Sequence, residues 1–156
     1  MATKKMAIIA TKGALDMAYP PLILASTAAA LGWEVQIFFT FYGLQLLRKD
    51  LSGIAISPLA NPAMPMPVPM PVIVSILPGM EAMATSMMKA KMKKKGVASL
   101  TELRDVCVET DVKFIACQMT VDLFEFDKSD FIADVEFGGA ATFLKFAGET
   151  DVCLFI

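Results

Sequence analysis

The sequence predicts a three-layer α/β/α domain, in which helices cover both faces of a mostly parallel sheet of about five strands. Two features of the chain predict this fold. Short apolar runs alternate with longer segments of helical character, which is typical of β-α-β units. The short runs are continuously apolar, as strands are when a parallel sheet is buried on both faces. A length of 156 residues fits a single domain, residues 1–156, and right-handed crossovers are expected.

The first half of the chain predicts two strands and two helices. In order, they are the strand Lys5–Ala10, the helix Met17–Leu31, the strand Val35–Phe39 and the helix Leu44–Lys49. The first helix is rich in alanine, which lets a sheet approach closely, and Gly32 is expected to end it. Pro20 and Pro21 are expected in its first turn, where a missing N–H group costs little.

A proline-rich segment follows. Residues 51–80 contain no charged residue and seven of the nine prolines. Because proline excludes a helix or a central strand, an extended insertion is expected at about 58–71, followed by a short strand at Val72–Leu77. The apolar length would suit a membrane span, but the prolines would leave backbone groups unpaired in lipid. A membrane span is therefore not expected, and a peripheral membrane contact is disfavoured.

A helix with a methionine-rich face is predicted at about 79–95. Its methionines recur at helical spacing, at Met80, Met83, Met87, Met88 and Met92. Lysines crowd its C-terminal end, which suits the helix dipole. We interpret the methionine face as packing on the protein's own core or on a second subunit; a plastic surface for several partners is the alternative. Binding of Cu(I) is disfavoured, because no cysteine or histidine accompanies the methionines.

The second half predicts three further helices and two further strands. Ser99 and Glu102 fit a capping box, which opens a helix that runs to about Thr110. The remaining elements are the strand Val112–Ala116, the short helix Thr120–Phe124, a helix that Gly138 and Gly139 open and that runs to about Gly148, and the strand Asp151–Ile156. The order of the strands in the sheet does not follow from one sequence.

Composition excludes several classes of function. A net charge of −2 without a basic stripe excludes nucleic-acid binding. The chain has no histidine, which excludes Ser-His-Asp and Cys-His catalysis and removes the commonest metal ligand; no metal site and no cofactor are predicted. Three cysteines are too few for a secreted disulfide scaffold, and the N-terminal apolar run is too short for a signal peptide. We therefore expect a cytoplasmic protein.

Ligands of parallel α/β sheets bind outside the carboxyl ends of the strands. Four segments are expected at such ends, namely 11–13, 40–42, 117–120 and 138–139. The candidate substrate-binding residues in them are Lys12, Gly13, Tyr42, Gln118, Met119, Thr120, Gly138 and Gly139. The glycines would expose backbone N–H groups to an anion. Neither a G-x-G-x-x-G motif nor a P-loop is present, so the sequence gives little support to nucleotide binding.

The three cysteines differ in position. Cys117 ends a strand and a helix starts just after it, so free N–H groups favour its thiolate. Position alone leaves a functional and a structural role for Cys117 equally open. Cys107 lies near the end of a helix and Cys153 inside the last strand, so both are expected to be buried and inert. A Cys107–Cys117 disulfide is not expected, because the strand between them exceeds disulfide reach.

Short stretches, in order along the chain, give it a family likeness. They are IIATKG at 8–13, AYPPLILAS at 18–26, FFTFYG at 38–43, NPAMPMP at 61–67, LPGM at 77–80, IACQMT at 115–120 and VEFGGAATF at 135–143. Through them the chain resembles the DsrE/DsrF/TusD-like sulfur-relay family over nearly its whole length. The likeness is greatest to the soluble DsrE-like branch, whose members are sometimes given the peroxiredoxin-family name.

The resemblance implies a parallel α/β sheet and a homo-oligomer, as a trimer, hexamer or dimer. It also implies that Cys117 is the catalytic residue, because the sulfur-carrying cysteine of the family follows a strand. The thiolate would accept sulfane sulfur as a persulfide or a thiosulfonate, with sulfur-donor and sulfur-acceptor proteins as partners. Such a relay needs no general base, because a persulfide is itself acidic and nucleophilic, and the lack of histidine is no handicap.

We therefore predict a sulfur carrier or sulfurtransferase that works through a single cysteine thiolate. The alternative is a non-catalytic α/β binding or structural subunit, which holds a small anion or nucleotide at the carboxyl ends of the strands. A peroxidase is disfavoured, because no resolving cysteine and no arginine lie near Cys117 in the sequence.

Overall fold

The computed structural model describes residues 3–57, 71, 73 and 76–156. Its strands are β1 (Lys5–Ala10), β2 (Glu34–Phe39), β3 (Lys113–Cys117), β4 (Val135–Gly138) and β5 (Val152–Phe155). Its α-helices are α1 (Leu15–Ala30), α2 (Met80–Lys94), α3 (Leu100–Glu109), α4 (Gln118–Leu123) and α5 (Ala140–Ala147), with 3₁₀ helices at Phe41–Leu47 and Lys128–Asp130. The predicted insertion at 58–71 lies outside the described residues except for Pro71, and so do residues 72, 74 and 75 of the predicted strand at 72–77.

The described residues form a five-stranded sheet in the order β4-β3-β2-β1-β5, and every neighbouring pair is parallel. The connections that lead from β1 to β4 pack over one face of the sheet. Helix α5, which returns the chain past β1 to β5, packs over the other face. The chain adds strands in one direction from β1 to β4 and then returns to place β5 on the other side of β1. If every crossover is right-handed, the connection to β5 must run over the opposite face of the sheet. The predicted three-layer α/β fold is confirmed.

Two hydrophobic cores lie on the two faces of the sheet, because successive side chains of a strand point to opposite sides. The larger core packs α1 and α3 against central residues such as Ile37 and Phe114. In the smaller core, Phe143 of α5 stacks on Phe38 of β2 with ring centroids 5.1 Å apart. Cys117 belongs to this smaller core, so its side chain lies on the face that α5 covers.

Helix α2 falls in the range predicted for the methionine-faced helix. Met88 and Met92 pack against the larger core, whereas Met83 and Met87 are exposed. The hydroxyl of the buried Thr85 accepts a hydrogen bond from the N–H of Ile56 at 3.1 Å and ties the helix to the loop before residue 58. Within the described ranges, no helix combines the length and the apolar character needed to cross a membrane.

Three expectations about the elements need correction. Pro20 and Pro21 lie past the first turn of α1, because the helix already starts at Leu15, whose N–H donates to the carbonyl O of Ala55 at 2.7 Å. The helix expected at Leu44–Lys49 is a 3₁₀ helix that begins at Phe41 and ends at Leu47. Strand β4 has no counterpart in the prediction, because it is an edge strand of four residues that includes an exposed Glu136.

Candidate functional site

Cys117 lies where strand β3 ends and helix α4 begins. It is the last residue of β3 and the N-cap of α4. Because β3 is flanked by β2 and β4, the ends of two neighbouring strands enclose the cysteine. The residue is only 5% exposed. It is therefore a nearly buried thiol at the carboxyl edge of a parallel sheet.

Two opposing effects act on the pKa of the Cys117 thiol. Burial raises the pKa, because desolvation penalises the charged thiolate. Hydrogen bonding to the thiolate from the hydroxyl and N–H of Thr120, the hydroxyl of Thr40 and the N–H of Met119 lowers it. The hydrogen bonds together outweigh burial, so the pKa of Cys117 lies below its ordinary value. The main stabilising groups are all neutral, and the site favours a thiolate without a cationic partner.

Thr120 is the polar centre of the site. The residue is 0% exposed, and its Oγ1 accepts a hydrogen bond from the N–H of Phe41 at 3.3 Å. The Oγ1 atoms of Thr40 and Thr120 lie 3.1 Å apart, and either can be the donor. Phe41 has a φ of 48°, a left-handed conformation that is uncommon for an aromatic residue and is often found at functional sites. The loop after β2 is thus held against the start of α4.

The glycine pair lies on the other side of Cys117. Gly138 is the register partner of Cys117 in the β3–β4 pair, and Gly139 is the N-cap of α5. A Cβ atom on Gly138 would lie 3.3 Å from Cβ and Oγ1 of Thr142, whereas the space around a Cβ on Gly139 is open to 4 Å. The N-terminal N–H groups of α5 therefore begin just beyond the strand end that faces the cysteine.

An apolar surface extends from the cysteine along α4. Met119, the second residue of α4, is 56% exposed. The neighbouring Gln118 is polar, and its side-chain amide donates to Oδ1 of Asp122 at 2.7 Å. Phe124, just after α4, stacks on the exposed Tyr42 with ring centroids 6.2 Å apart. Tyr42 therefore contributes to the surface beside the cysteine rather than to its hydrogen bonds.

Lys12 and Gly13 lie farther from the cysteine. They follow β1, and β2 stands between β1 and β3, so the strand spacing alone separates the two strand ends by roughly 10 Å. Gly13 packs on the loop after β2, where a Cβ atom would lie 2.4 Å from the carbonyl O of Tyr42. Lys12 is exposed and is not among the main influences on the pKa of Cys117.

The structure thus gathers five of the eight candidate substrate-binding residues around Cys117, namely Gln118, Met119, Thr120, Gly138 and Gly139. It also brings in Thr40, which the sequence analysis did not single out. The sequence places the segment 40–42 at this edge, because the segment directly follows a strand. The sequence does not show that β2 lies beside β3. This pairing brings Thr40 to the cysteine.

The other two cysteines lie apart from this site. Cys107 is fully buried, its Sγ donates to the carbonyl O of Leu22 at 3.5 Å, and burial raises its pKa to about 12. All three cysteines are free thiols, as expected for Cys107 and Cys117. The expectation that Cys153 is a core residue is wrong, because Cys153 is exposed. It lies on β5, an edge strand that α5 leaves uncovered.

The chemistry available at the site is that of a single thiolate. Among the residues that the structure describes, no group of three or more His, Cys, Asp or Glu side chains could hold a metal ion. The donors around Cys117 are hydroxyl and backbone N–H groups. They can stabilise negative charge on sulfur, either in a nucleophile or in a leaving group.

Fold and site together define a class of protein: a small parallel α/β protein with one stabilised cysteine thiolate at the carboxyl edge of its sheet. A model of the DsrE/DsrF/DrsH-like family matches residues 2–155. The chain belongs to this family, which confirms the family resemblance of the sequence.

Known relatives cover the whole chain. The chain is 64% identical over 160 residues to the sulfur carrier protein DsrE2 of Allochromatium vinosum, with 100% of both chains covered. It is 32% identical over 158 residues to the uncharacterized protein YrkE of Bacillus subtilis, with 99% of this chain and 98% of YrkE covered. The crystal structure of the ychN protein from E. coli has a TM-score of 0.56 at 12% identity and covers 99% of this chain and 100% of ychN. At that identity, the likeness to ychN supports the fold alone.

Proposed function

We propose that this protein is a sulfur carrier, which accepts sulfane sulfur on the thiolate of Cys117 and passes it to a partner protein. The observation that carries the proposal is the environment of Cys117, where neutral hydrogen-bond donors lower the pKa of a nearly buried thiol. The name of the relative that is 64% identical, a sulfur carrier protein, supports the same function.

The acceptance step needs only the thiolate and a donor persulfide, R–S–SH. The Sγ of Cys117 attacks the outer sulfur of the donor, and a new S–S bond forms as the S–S bond of the donor breaks. The donor leaves as the thiolate R–S⁻, the outer sulfur keeps its proton, and Cys117 becomes Cys117–S–SH without net oxidation. With tetrathionate as the donor, the central S–S bond breaks instead, thiosulfate leaves, and a thiosulfonate remains on Cys117.

The residues around Cys117 have distinct proposed roles. The N–H groups that begin at Gly139 and the start of α5 bind the outer end of the adduct, which is negatively charged in the thiosulfonate and in the persulfide once its outer sulfur loses the proton. The absent side chain of Gly138 leaves room for that adduct beside the sulfur. Met119 and Tyr42 form the apolar surface on which the partner protein docks. Gln118, Lys12 and Gly13 lie at the margin of this surface and contact the partner rather than the sulfur.

The proposed partners follow from the reaction. The donor and the acceptor are proteins that each carry a persulfide or a thiol, and both must bring a sulfur to the edge of the sheet. We propose that the protein acts in the cytoplasm, where thiols stay reduced, and that it assembles as a homo-oligomer.

Peptide mass spectrometry tests the proposal after incubation with glutathione persulfide and, separately, with tetrathionate. Trypsin cleaves after Arg104, Lys113, Lys128 and Lys145 and so places the three cysteines in three different peptides. We expect the mass of one added sulfur atom, or of a thiosulfonate, on the peptide 114–128, and its removal by a thiol acceptor. The adduct should persist in Cys153→Ser and disappear in Cys117→Ser.

The exposed Cys153 makes that pair of variants necessary, because an accessible thiol also reacts with sulfur donors. An adduct that is confined to Cys153 would refute the assignment of Cys117. Binding of thiosulfate or a nucleotide that leaves no adduct and is unchanged in Cys117→Ser would favour the non-catalytic binding subunit instead.

A further inference from the structure

We infer that Thr40 and Thr120 form a hydroxyl pair beside Cys117 that positions its sulfur and keeps one O–H free to donate to it. The two residues are 80 positions apart in the chain, and their Oγ1 atoms meet at 3.1 Å. Thr40 lies at the end of β2, and Thr120 lies in α4, three residues after Cys117. The pair is thus assembled by the fold rather than by the local sequence.

Both hydroxyls make this contact in place of the bonds that threonine usually makes in such positions. Thr40 is the N-cap of the 3₁₀ helix at Phe41–Leu47, and an N-cap threonine commonly accepts a bond from an N–H of the helix that follows. Its hydroxyl is turned to Thr120 instead. A threonine within a helix commonly bonds back to a carbonyl of the preceding turn, but Oγ1 of Thr120 accepts the N–H of Phe41.

The hydrogens of the pair determine what it can do. Each hydroxyl carries one hydrogen, and the contact between the two oxygens uses one of the two. If Thr40 donates to Thr120, the hydrogen of Thr120 remains available, and the reverse holds if Thr120 donates. Thr40 directly follows Phe39, the register partner of Ala116, and Thr120 lies three residues after Cys117, so either arrangement leaves one O–H beside the cysteine. The N–H of Phe41 also donates to Oγ1 of Thr120 and helps to hold it in place.

Charged groups have little part in this arrangement. The charged side chains on the elements around Cys117 are those of Glu34 in β2, Lys113 in β3, Asp122 in α4, Glu136 in β4 and Lys145 in α5, and all five are exposed. The main stabilising influences on the thiolate come from neutral donors instead. Stabilisation of the sulfur should therefore change little with salt, because salt screens charges more than short hydrogen bonds.

The pair should act on both halves of a sulfur relay, and this part of the inference rests on the proposed function. When Cys117 accepts sulfur it is the nucleophile, and when it gives up sulfur it is the leaving group. A lower pKa raises the thiolate fraction and improves the leaving group, but it lowers the intrinsic nucleophilicity of the thiolate. The hydroxyl pair should therefore speed the release of sulfur from Cys117 at every pH. It should speed the acceptance of sulfur only at pH values below the pKa of the Cys117 thiol.

The first test needs no sulfur chemistry. In a Cys153→Ser background, the alkylation of Cys117 by iodoacetamide is followed against pH by peptide mass spectrometry. Thr120→Val removes the hydroxyl at nearly constant shape, and we expect the midpoint of the profile to rise by about one unit. Alkylation should be about threefold slower at low pH and about threefold faster at high pH, since the more basic thiolate is more nucleophilic. Thr40→Val should shift the midpoint in the same direction, and Thr120→Ser should restore it.

A matched control separates positioning from a loss of structure. Thr85 is also a buried threonine whose hydroxyl accepts a backbone N–H, that of Ile56 at 3.1 Å. Thr85→Val therefore leaves an N–H unpaired, as Thr120→Val does, but at a distance from the cysteine. It should lower the melting temperature without moving the alkylation midpoint of Cys117. If Thr120→Val and Thr40→Val both leave that midpoint unchanged, the hydroxyl pair does not position the sulfur.

The second test follows the relay itself in the same variants. Glutathione persulfide loads Cys117, and cyanide then attacks the outer sulfur, so that thiocyanate forms and Cys117 leaves as a thiolate. Thr120→Val should release thiocyanate more slowly than the wild type at every pH. Its loading with sulfur should be slower than that of the wild type at low pH and faster at high pH. Equal slowing of both steps at every pH would overturn the inference. A failure of the wild-type protein to load at all would instead count against the proposed function and leave the alkylation result standing.

Discussion

Cys117 and Gly138 are register partners and the last residues of two neighbouring parallel strands, β3 and β4. Their side-chain positions point to the same face of the sheet, the face covered by α5. Because Gly138 has no Cβ, its register position beside Cys117 carries no side chain of its own, and the nearest side chain there is that of Thr142. An adduct that lengthens Cys117 by one sulfur atom needs room of that kind.

We expect Gly138→Ala to impair sulfur loading by at least about tenfold, because an added methyl group crowds the site at a typical overpacking cost. The methyl group would lie 3.3 Å from Cβ and Oγ1 of Thr142, at the register position of Cys117 in the neighbouring strand. Loading is measured as the rate of persulfide formation on the peptide 114–128. The matched control is Gly53→Ala, whose Cβ meets open space and should leave the rate within about twofold, since it adds no contact. Equal rates in the two variants would contradict the assigned role of Gly138.

Cys117 should react with a thiol reagent at a lower pH than an ordinary cysteine. Burial raises its pKa, but hydrogen bonds from Thr120, Thr40 and Met119 more than offset this effect. The alkylation midpoint of Cys117 should therefore fall below about 8.5, the value of an unperturbed thiol. Peptide mass spectrometry against pH measures it, with the same protein unfolded in urea as the reference. A midpoint equal to that of the unfolded chain would show that the hydrogen bonds do not outweigh burial.

The fold could be predicted because its signals are local and repeated. Continuous apolar runs mark β1, β2 and β3, and the capping box predicted at Ser99 and Glu102 is present, with Ser99 Oγ accepting from the N–H of Glu102 at 3.2 Å. Strand β4 was missed because four partly exposed residues of an edge strand carry too little apolar pattern. The burial of Cys153 was misjudged for a related reason. A sequence does not show which strand lies at the edge, and only there does an apolar strand face solvent.

The site could be predicted as an edge of the sheet but not as a set of contacts. The rule that ligands bind at the carboxyl ends of strands selects the segments after β1, β2 and β3 alike, with the glycine pair 138–139 as a further candidate. Strand order then decides which of them meet. It brings Thr40 and Gly138 to Cys117 and leaves Lys12 on the far side of β2. No pattern in the sequence distinguishes these residues, because their proximity to Cys117 depends on pairings across more than 20 positions of the chain.

Arg104 should stabilise the loop that carries Phe41 and Tyr42. This nearly buried residue of α3 donates from Nη1 to the carbonyl O of Leu46 at 2.9 Å and of Arg48 at 2.5 Å. Both carbonyls lie at the end of the 3₁₀ helix that begins at Phe41. We expect Arg104→Met to lower the free energy of unfolding by about 2 kcal/mol, since it leaves one buried and one partly buried carbonyl without this donor. Urea denaturation measures the loss.

Arg104→Lys tests the geometry of this contact. A lysine keeps the charge but presents a point-like ammonium in place of a planar fork, so it should recover only part of the lost stability. The exposed substitution Lys113→Met is the control and should change stability by less than about 0.5 kcal/mol, as surface substitutions usually do. If Arg104→Met proves as stable as the wild type, the contact contributes no net stability, as is found for some buried charges.

Cys107 should make the folded protein less stable at alkaline pH. Burial raises the pKa of Cys107 to about 12, whereas the unfolded chain loses that proton near pH 8.5 or so, roughly the value of a free thiol. Between these values the folded state binds more protons than the unfolded state, so the free energy of unfolding falls as the pH rises. The loss is at most about 1.4 kcal/mol per pH unit. The effect of Cys117 on stability has the opposite sign, because its pKa is lower in the folded protein than in the unfolded chain. Its ionised thiolate stabilises the folded protein at pH values above the pKa of the unfolded chain. This contribution is lost as the pH falls through the pKa of the folded protein.

Urea denaturation on both sides of the free-thiol pKa separates the two cysteines. Cys107→Ala should be less stable than the wild type at neutral pH, because it loses buried contacts, and the gap should narrow as the pH rises above about 8.5. The free energy of unfolding of Cys117→Ser should change with pH differently from that of the wild type only below the pKa of the free thiol. Cys153→Ser is the control for the removal of a thiol, because Cys153 is exposed and lies apart from the site. A gap between the wild type and Cys107→Ala that stays constant at alkaline pH would mean that water reaches Cys107 in the folded state and that the thiol ionises there as it does in the unfolded chain.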